Sequence, residues 1–563
     1  MGLSDKSGAE SLTLAVKELL REVDVCVVHG RFDDAERLAR EALAMGASAP
    51  VEHALAGVLL KKGDPEGASA AYERAIALDS GYARSLNNLA NRLLERSPPE
   101  RERALSLYDR SVESADATVG MRLNRARCLQ ALGRTEAARD AFEASIVRDG
   151  SSPKALLGVA QTFRAEGREL EAATRLEAAL VGFPEDESLL GELGAARLAV
   201  GDAIGALEPL KRAVAKAGTA AQSTILVHLA RSLRKTGRLI AAKRVLADIA
   251  GRTDLAPAAF EERGSLLLDL GRPAEAAPAF AEAEARLPFA TALRVASSRI
   301  FAASHDDAYD ANALGDVATA WGREVERALG ADAAGPRWSD VDPSQLHLAF
   351  FSGDFREHVV LRFLAPVLDA LAGRVQKISL FSVTCPRDER TEDLARRFDM
   401  IDLSGLSRDE AREAMIRRGV SVLVDLGAHT SGHIDLLCPR VAPVQLHYLG
   451  FPGPVGLRSI DYRVSDCDVD PGSDPDVDRR LLLDRCAWVY RVPGMAPVPR
   501  AASSAPRFAC FARAMKVTPA TSRLYSAILT QSPRATLVLG GKAYEDPDTF
   551  AELVERFDPA ARS

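Results

Sequence analysis

One phrase recurs along the first half of this chain, and few folds accommodate it. It runs Gly, four residues, Ala, three residues, usually a large apolar residue, two residues, then a small or β-branched residue. GRFDDAERLAREA is the first copy, with Gly30, Ala35, Ala39 and Ala42; GDPEGASAAYERA follows, with Gly63, Ala68, Tyr72 and Ala75. The key alanine stands at Ala35, Ala68, Ala104, Ala138, Ala172, Ala206, Ala242 and Ala276, at gaps of 33, 36, 34, 34, 34, 36 and 34. A Gly placed this way suits the left-handed end of a helix, where a side chain would be strained. The small Ala lets a second helix approach the first. The bulky residue four positions on, one turn along the same face, fills the space beside it. One such pair of helices cannot bury its own apolar face, so the units must stack. The third copy lacks the Gly and carries extra residues around SPPERE, which predicts a looser turn there.

A period near 34 with this phrase is that of the tetratricopeptide repeat. An all-α superhelix of about eight repeats is therefore expected over 1–289, with a concave face suited to an extended polypeptide. His29, His53 and His228 read as packing or surface residues of that array. RVASSRIFAASHDDAYDANALGDVATAWGREVERALG has helical periodicity without the phrase, and ADAAGPRWSDVDP reads as a loop. Residues 290–345 are thus expected to be a helical adaptor.

Near Leu346 the pattern changes to apolar runs alternating with amphipathic helices: LHLAFFSGDF, VVLRFLAPVLDALA, KISLFSVT, RTEDLARRF, MIDLSG, SRDEAREAMIRRG, VSVLVDLGA, VQLHYLGFPG and IDYRVSDCDVDP. This alternation predicts a doubly wound parallel sheet over 346–500, with ligands at the carboxyl ends of its strands. Ser352, Asp354 and His358 fall there, as do His429, Thr430 and His433, and Gly450, Pro452 and Gly453.

The bulk numbers exclude several classes. With 563 residues, more than one core is required. The net charge is −7 with no block of like charges, so nucleic-acid binding is not expected. No run of about 18 apolar residues predicts a membrane span, and MGLSDKSGAESLTLAV lacks the basic-then-apolar order of a secretory signal. The seven cysteines are scattered without CxxC spacing, which fits thiols in the cytoplasm. Five of the nine histidines lie in 347–447, but no carboxylate-rich partner set accompanies them, so no metal and no cofactor is expected.

FFSGDFREHVVLRFLAPVL, VSVLVDLGAHTSGHIDLLCPRVAPVQLHYLGFPGPVGLRSIDYRVSD and RFACFARAMKVTPATSRLYSAILTQSPRATLVL resemble, in order, blocks of the protein O-GlcNAc transferases and their Spindly-type relatives. The resemblance covers roughly 290–563, with repeats upstream as in that family. It implies two Rossmann-like lobes of GT-B type, the second starting near 501 and incomplete at Ser563. ATLVLGG reads as one strand of that lobe with an unpaired neighbour. It also implies a protein O-linked glycosyltransferase that moves a sugar from a nucleotide-sugar donor, UDP-GlcNAc first and GDP-fucose as the alternative, to Ser/Thr hydroxyls.

By the same resemblance His358 matches a histidine considered as general base, and Lys516 a lysine on the donor diphosphate. Gly450 and Pro452 match the donor-sugar pocket, and Thr430 faces the same cleft. Asp354 and His429 are weaker candidates, Asp354 orienting the His358 loop. Read from the residues alone, His358 would instead cap the following helix, and Asp425 and Asp461 are structural. Ala512 and Arg513 stand where the family carries Asn-Asn or Asn-Gln. A noncatalytic peptide-binding scaffold with a vestigial lobe is the other reading.

Overall fold

The left-handed glycines set the helical half. Helices pair as hairpins whose first member ends at Gly30, Gly63, Gly133, Gly167, Gly201, Gly237 or Gly271, all with φ between +67° and +87°. In the third pair, Ala83–Glu95 and Arg101–Glu113, no Gly is available; the link instead closes through the Glu100 N–H, which donates to Leu93 O (3.0 Å). The eight key alanines are all fully buried, and Tyr72, Tyr108, Phe142, Leu176, Leu210 and Phe280, one turn on, are buried beside them. The computed structural model describes residues 4–252, 255–330, 336, 341–383, 387–430, 432–470, 479–490 and 505–562. The boundary expected at 500/501 lies outside them.

The chain gathers into two units, Met1–Glu192 and Leu193–Ser563. The division falls inside the repeat array, not at its end. In the first unit, buried Glu52 accepts from Arg74 Nε and Nη2 (2.8 and 2.9 Å), joining neighbouring helices. Asn124 donates to Asn87 (3.0 Å), Asn87 to Asn88 (3.1 Å) and Asn88 to Tyr72 Oη (3.3 Å), so amides of two repeats form one chain of bonds, while Tyr108 Oη donates to Asn91 (2.5 Å) as a separate pair.

The second unit holds the later repeat helices and a seven-stranded parallel sheet. The strands are β1 (His347–Ser352), β2 (Lys377–Ser382), β3 (Asp399–Asp402), β4 (Val422–Asp425), β5 (Val444–Tyr448), β6 (Tyr462–Asp466) and β7 (Arg480–Leu483), in the order β3-β2-β1-β4-β5-β6-β7. The first six follow the dinucleotide-fold order, which reverses direction between β1 and β4. β7 was not anticipated, because its short LLL run is mostly exposed and shows no alternation.

β1 shows why the sheet is covered twice. Ala349 and Phe351 point to one side, into a core with Leu293, Trp321 and Val325 from helices Phe289–Ala303 and Ala311–Leu329. Phe350 points to the other, against Leu364, Leu368 and Leu394 from helices Val359–Leu371 and Glu389–Arg397. Alternate residues of a strand face opposite sides, so both layers are required. Burying each phenyl ring contributes roughly 1.5–3 kcal/mol. Helices expected as an adaptor thus supply one layer of the sheet lobe.

ATLVLGG does have a partner: β8 (Arg507–Cys510) pairs in parallel with β9 (Thr536–Leu539) in a separate two-stranded sheet. This corrects the expected unpaired neighbour. RFAC was too short and too charged at its start to read as a strand. Among the described residues no helix is long and apolar enough to cross a membrane.

Candidate functional site

The site forms where the strand order reverses, at the carboxyl ends of β1 and β4. After Ser352 the loop is pinned from several directions. The Asp354 N–H donates to Ser352 Oγ (2.9 Å), the Glu357 N–H to Asp388 Oδ2 (2.7 Å), and Thr391 Oγ1 to Phe355 O (2.7 Å). His358 is the N-cap of helix Val359–Leu371. Its Nδ1 accepts from the Val360 N–H (3.4 Å) and lies 3.5 Å from Asp354 Oδ2. The ring is 37% exposed, so one edge stays open to solvent. The cap read from the residues alone is therefore present, on a ring that keeps exposed surface.

The β4 end is held by a buried polar network. Asp425 accepts from the Ala428 N–H (2.8 Å) and the Gly427 N–H (3.3 Å), and lies 2.7 Å from His447 Nδ1. His447 Nε2 donates to Phe451 O (2.8 Å). This chain of contacts ties the β4 loop to the β5 loop. The two backbones meet at Gly450, where an added Cβ would lie 2.0 Å from Leu426 O. Only glycine allows that approach. Leu449 beside it has φ +88°, a left-handed conformation costing about 1 kcal/mol or more. Asp461 binds Arg440 at 2.6 and 2.8 Å and accepts from the Gln445 N–H, a structural role like that of Asp425.

The sequence candidates separate here. Thr430 is exposed, with Oγ1 donating to Gly427 O (2.6 Å), and Pro452 is exposed on the β5 loop. His429 turns inward instead. Its Nε2 donates to Val455 O (3.0 Å), so in the neutral ring Nδ1 accepts from Ser297 Oγ (2.8 Å). Trp321 and Phe451 pack edge-on against it. Burial pushes its pKa down to about 4, which keeps it neutral. As a buried tie between the helical layer and the β4 loop, His429 has no face open to a ligand.

Lys516 ends a short turn, Ala514–Lys516, whose Met515 is buried with Leu268, Ala276 and Phe280 of the last repeat pair. Burial first, then Lys516 and Arg513, lower the pKa of His305 nearby. Beside this turn opens a cleft of about 560 Å³. Its wall includes Arg234 and Lys235 from the repeats, Arg356 from the β1 loop, and Arg513, Lys542 and Tyr544. His358, Lys516, Thr430, Gly450 and Pro452 do not line it. No sequence signal marks these cations as a group, since they come from three distant segments. Among the described residues no cluster of three or more His, Cys, Asp or Glu could hold a metal ion.

A hairpin array followed by a parallel sheet of dinucleotide-fold order, with a histidine at the switch-point loop, defines a repeat-bearing Rossmann-type protein. Comparison with known proteins narrows that class. A family profile described as Tetratricopeptide repeat matches residues 20–83, 99–155 and 228–291. A protein of Arabidopsis thaliana named probable UDP-N-acetylglucosamine–peptide N-acetylglucosaminyltransferase SPINDLY is 24% identical over 37% of this chain and 24% of its own length. A second Arabidopsis thaliana protein of that name, SEC, is 25% identical over 35% of this chain and 22% of its own. The matches thus span about a quarter of those relatives. The solved structure of a point mutant of Thermobaculum terrenum O-GlcNAc transferase aligns with TM-score 0.53 and 25% identity, covering 72% of this chain and 71% of that one. The chain therefore carries tetratricopeptide repeats and is homologous to the SPINDLY and SEC O-GlcNAc transferases, which supports a glycosyltransferase family.

Proposed function

We propose that the chain is a protein O-linked glycosyltransferase that moves GlcNAc from UDP-GlcNAc to Ser/Thr hydroxyls of proteins held by its repeats. GDP-fucose is the alternative donor. The observation that carries this reading is the half-open His358 beside Asp354, at the strand-order reversal of a lobe homologous to O-GlcNAc transferases.

The chemistry follows from the residues. To act as base, His358 exchanges its Nδ1 contact with the Val360 N–H for an Nδ1–H directed at Asp354 Oδ2, 3.5 Å away, which leaves the Nε2 lone pair free to take the acceptor hydroxyl proton. The hydroxyl oxygen then bonds to C1 of the sugar as the C1–O bond to the diphosphate breaks, and the nucleotide leaves with the electron pair. Lys516, exposed on its turn, offsets the charge growing on that diphosphate. The sugar lies against the close-packed backbone at Gly450, with Thr430 and Pro452 at its rim. The free thiols Cys26, Cys128, Cys438, Cys467, Cys486 and Cys510 are in keeping with work in the cytoplasm.

Calorimetry with UDP-GlcNAc and UDP on the 563-residue chain tests the donor site. Micromolar binding lost in Lys516→Ala supports it, and His358→Ala should then slow transfer by roughly 10²–10⁴-fold. A folded chain that binds neither ligand overturns the reading and leaves the repeats as the functional part.

A further inference from the structure

The cleft of about 560 Å³ is more cationic than its own structure requires. Arg234 is neutralised locally: it binds Glu262 through Nε (2.5 Å) and Asp269 through Nη1 (2.7 Å). Arg513 shares Asp269 at 2.9 Å. Lys235, Arg356 and Lys542, by contrast, have no carboxylate partner among the described residues. Burial first, then Arg234, Arg231 and Arg356, lower the pKa of Lys235, and the one carboxylate acting against them, Glu262, already binds Arg231 and Arg234, so positive groups converge in excess of their counter-charge. Like charges held together this way call for an anionic ligand.

The arrangement also says what kind of anion. Phosphate sites concentrate backbone N–H donors at a point, commonly a helix N-terminus. Here the helix at the rim, Lys542–Glu545, has four residues, and the donors are long side chains from three separate segments. Separated cations suit carboxylates spaced along an extended chain, which presents alternate side chains about 7 Å apart. Phe511 is 78% exposed at the same cleft, and Gly540 leaves room for its ring, since a Cβ there would come within 2.4 Å of it. That ring gives a polypeptide an apolar platform between charges. Arg356 is two residues before His358, at most about 7 Å along the backbone. His358 is outside the cleft wall, so a chain bound against Arg356 would have to extend beyond the cleft to meet the proposed base.

We propose that the cleft bounded by Lys235, Arg356, Lys542 and Phe511 binds an acidic stretch of the acceptor polypeptide and presents its neighbouring Ser or Thr to His358. The assignment of the peptide as acceptor rests on the transferase reading.

The test uses two fluorescent serine-containing peptides, one flanked by Asp and Glu and the other by Asn and Gln, with anisotropy measured on the full chain at low salt. The acidic peptide should bind about tenfold tighter, and added salt should erase the difference. Lys235→Gln with Arg356→Gln should reduce it to the level of the amide peptide, and the single surface change Lys542→Gln should do so in part. UDP-GlcNAc binding should persist in Lys235→Gln. Equal affinity for the two peptides overturns the proposal, as does loss of UDP-GlcNAc binding in Lys235→Gln without a peptide effect, which would give the cleft to the donor. Acidic preference in a chain that binds no nucleotide-sugar keeps the cleft assignment and overturns the transferase reading instead.

Discussion

The two sheets of this protein solve the same problem in opposite ways. The seven-stranded sheet makes its own interior: Phe350 and Phe351 are buried on opposite faces, each under a layer of helices. The two-stranded sheet β8–β9 has no such interior, and most of its strand residues are exposed or only half-buried. Its segment is anchored instead on repeat helices. Met515 inserts beside Phe280. Thr549 Oγ1, fully buried, accepts from the Leu239 N–H at 3.0 Å. A Cβ on Gly237 would meet Lys542 O at 2.4 Å. The difference teaches that one lobe is stable through its own layers, while the other borrows the end of the repeat array as its second layer.

That contrast can be broken or sharpened. The largest expected effect is Phe351→Ala, which should cost the seven-stranded lobe about 3–5 kcal/mol in urea unfolding followed by circular dichroism. A loss below about 1 kcal/mol would mean that the layers are not the source of its stability.

Acid should then separate the lobes. His429 is held at about 4 when folded against an ordinary value of 6.5, so between those values the unfolded chain binds more protons. Its contribution is intact above pH 6.5 and is lost as pH falls toward 4, by on the order of 3 kcal/mol. His429→Gln should flatten that part of the stability–pH curve. Residues 505–562 contain no histidine, and hydrogen exchange there should lack this slope.

Smaller and local is Thr549→Val, which removes the acceptor for the Leu239 N–H. It should cost about 1–2 kcal/mol, seen as faster proteolysis of 505–562 with the main transition unmoved. Smallest is Arg513→Ala. Its guanidinium is 69% exposed, so solvent screens the pair with Asp269. A change under about 0.5 kcal/mol is expected, read from the same proteolysis rate.

Much of the fold was legible because periodicity is local. The glycines at 67–87° in φ and the buried alanines stand where the repeating phrase put them, and most of the parallel strands follow from their apolar runs. The capping role of His358 was readable too, since a helix-forming run begins at Val359. β8 was not, because a strand with exposed residues on both faces has no alternation to detect. His429 could not be assigned from its neighbours, because its partners Ser297, Trp321 and Val455 lie on other elements.

The sequence by itself determined the hairpins, the alternation of strand and helix, and the order of the chemically rich loops, since each depends on residues within one or two turns of each other. Tertiary structure alone decided which histidine is buried and which is half-open. It also closed Gly450 against Leu426 and gathered Lys235, Arg356 and Lys542 around one cleft. Those outcomes depend on burial and on charges brought together from distant segments, and both quantities exist only once the chain has packed.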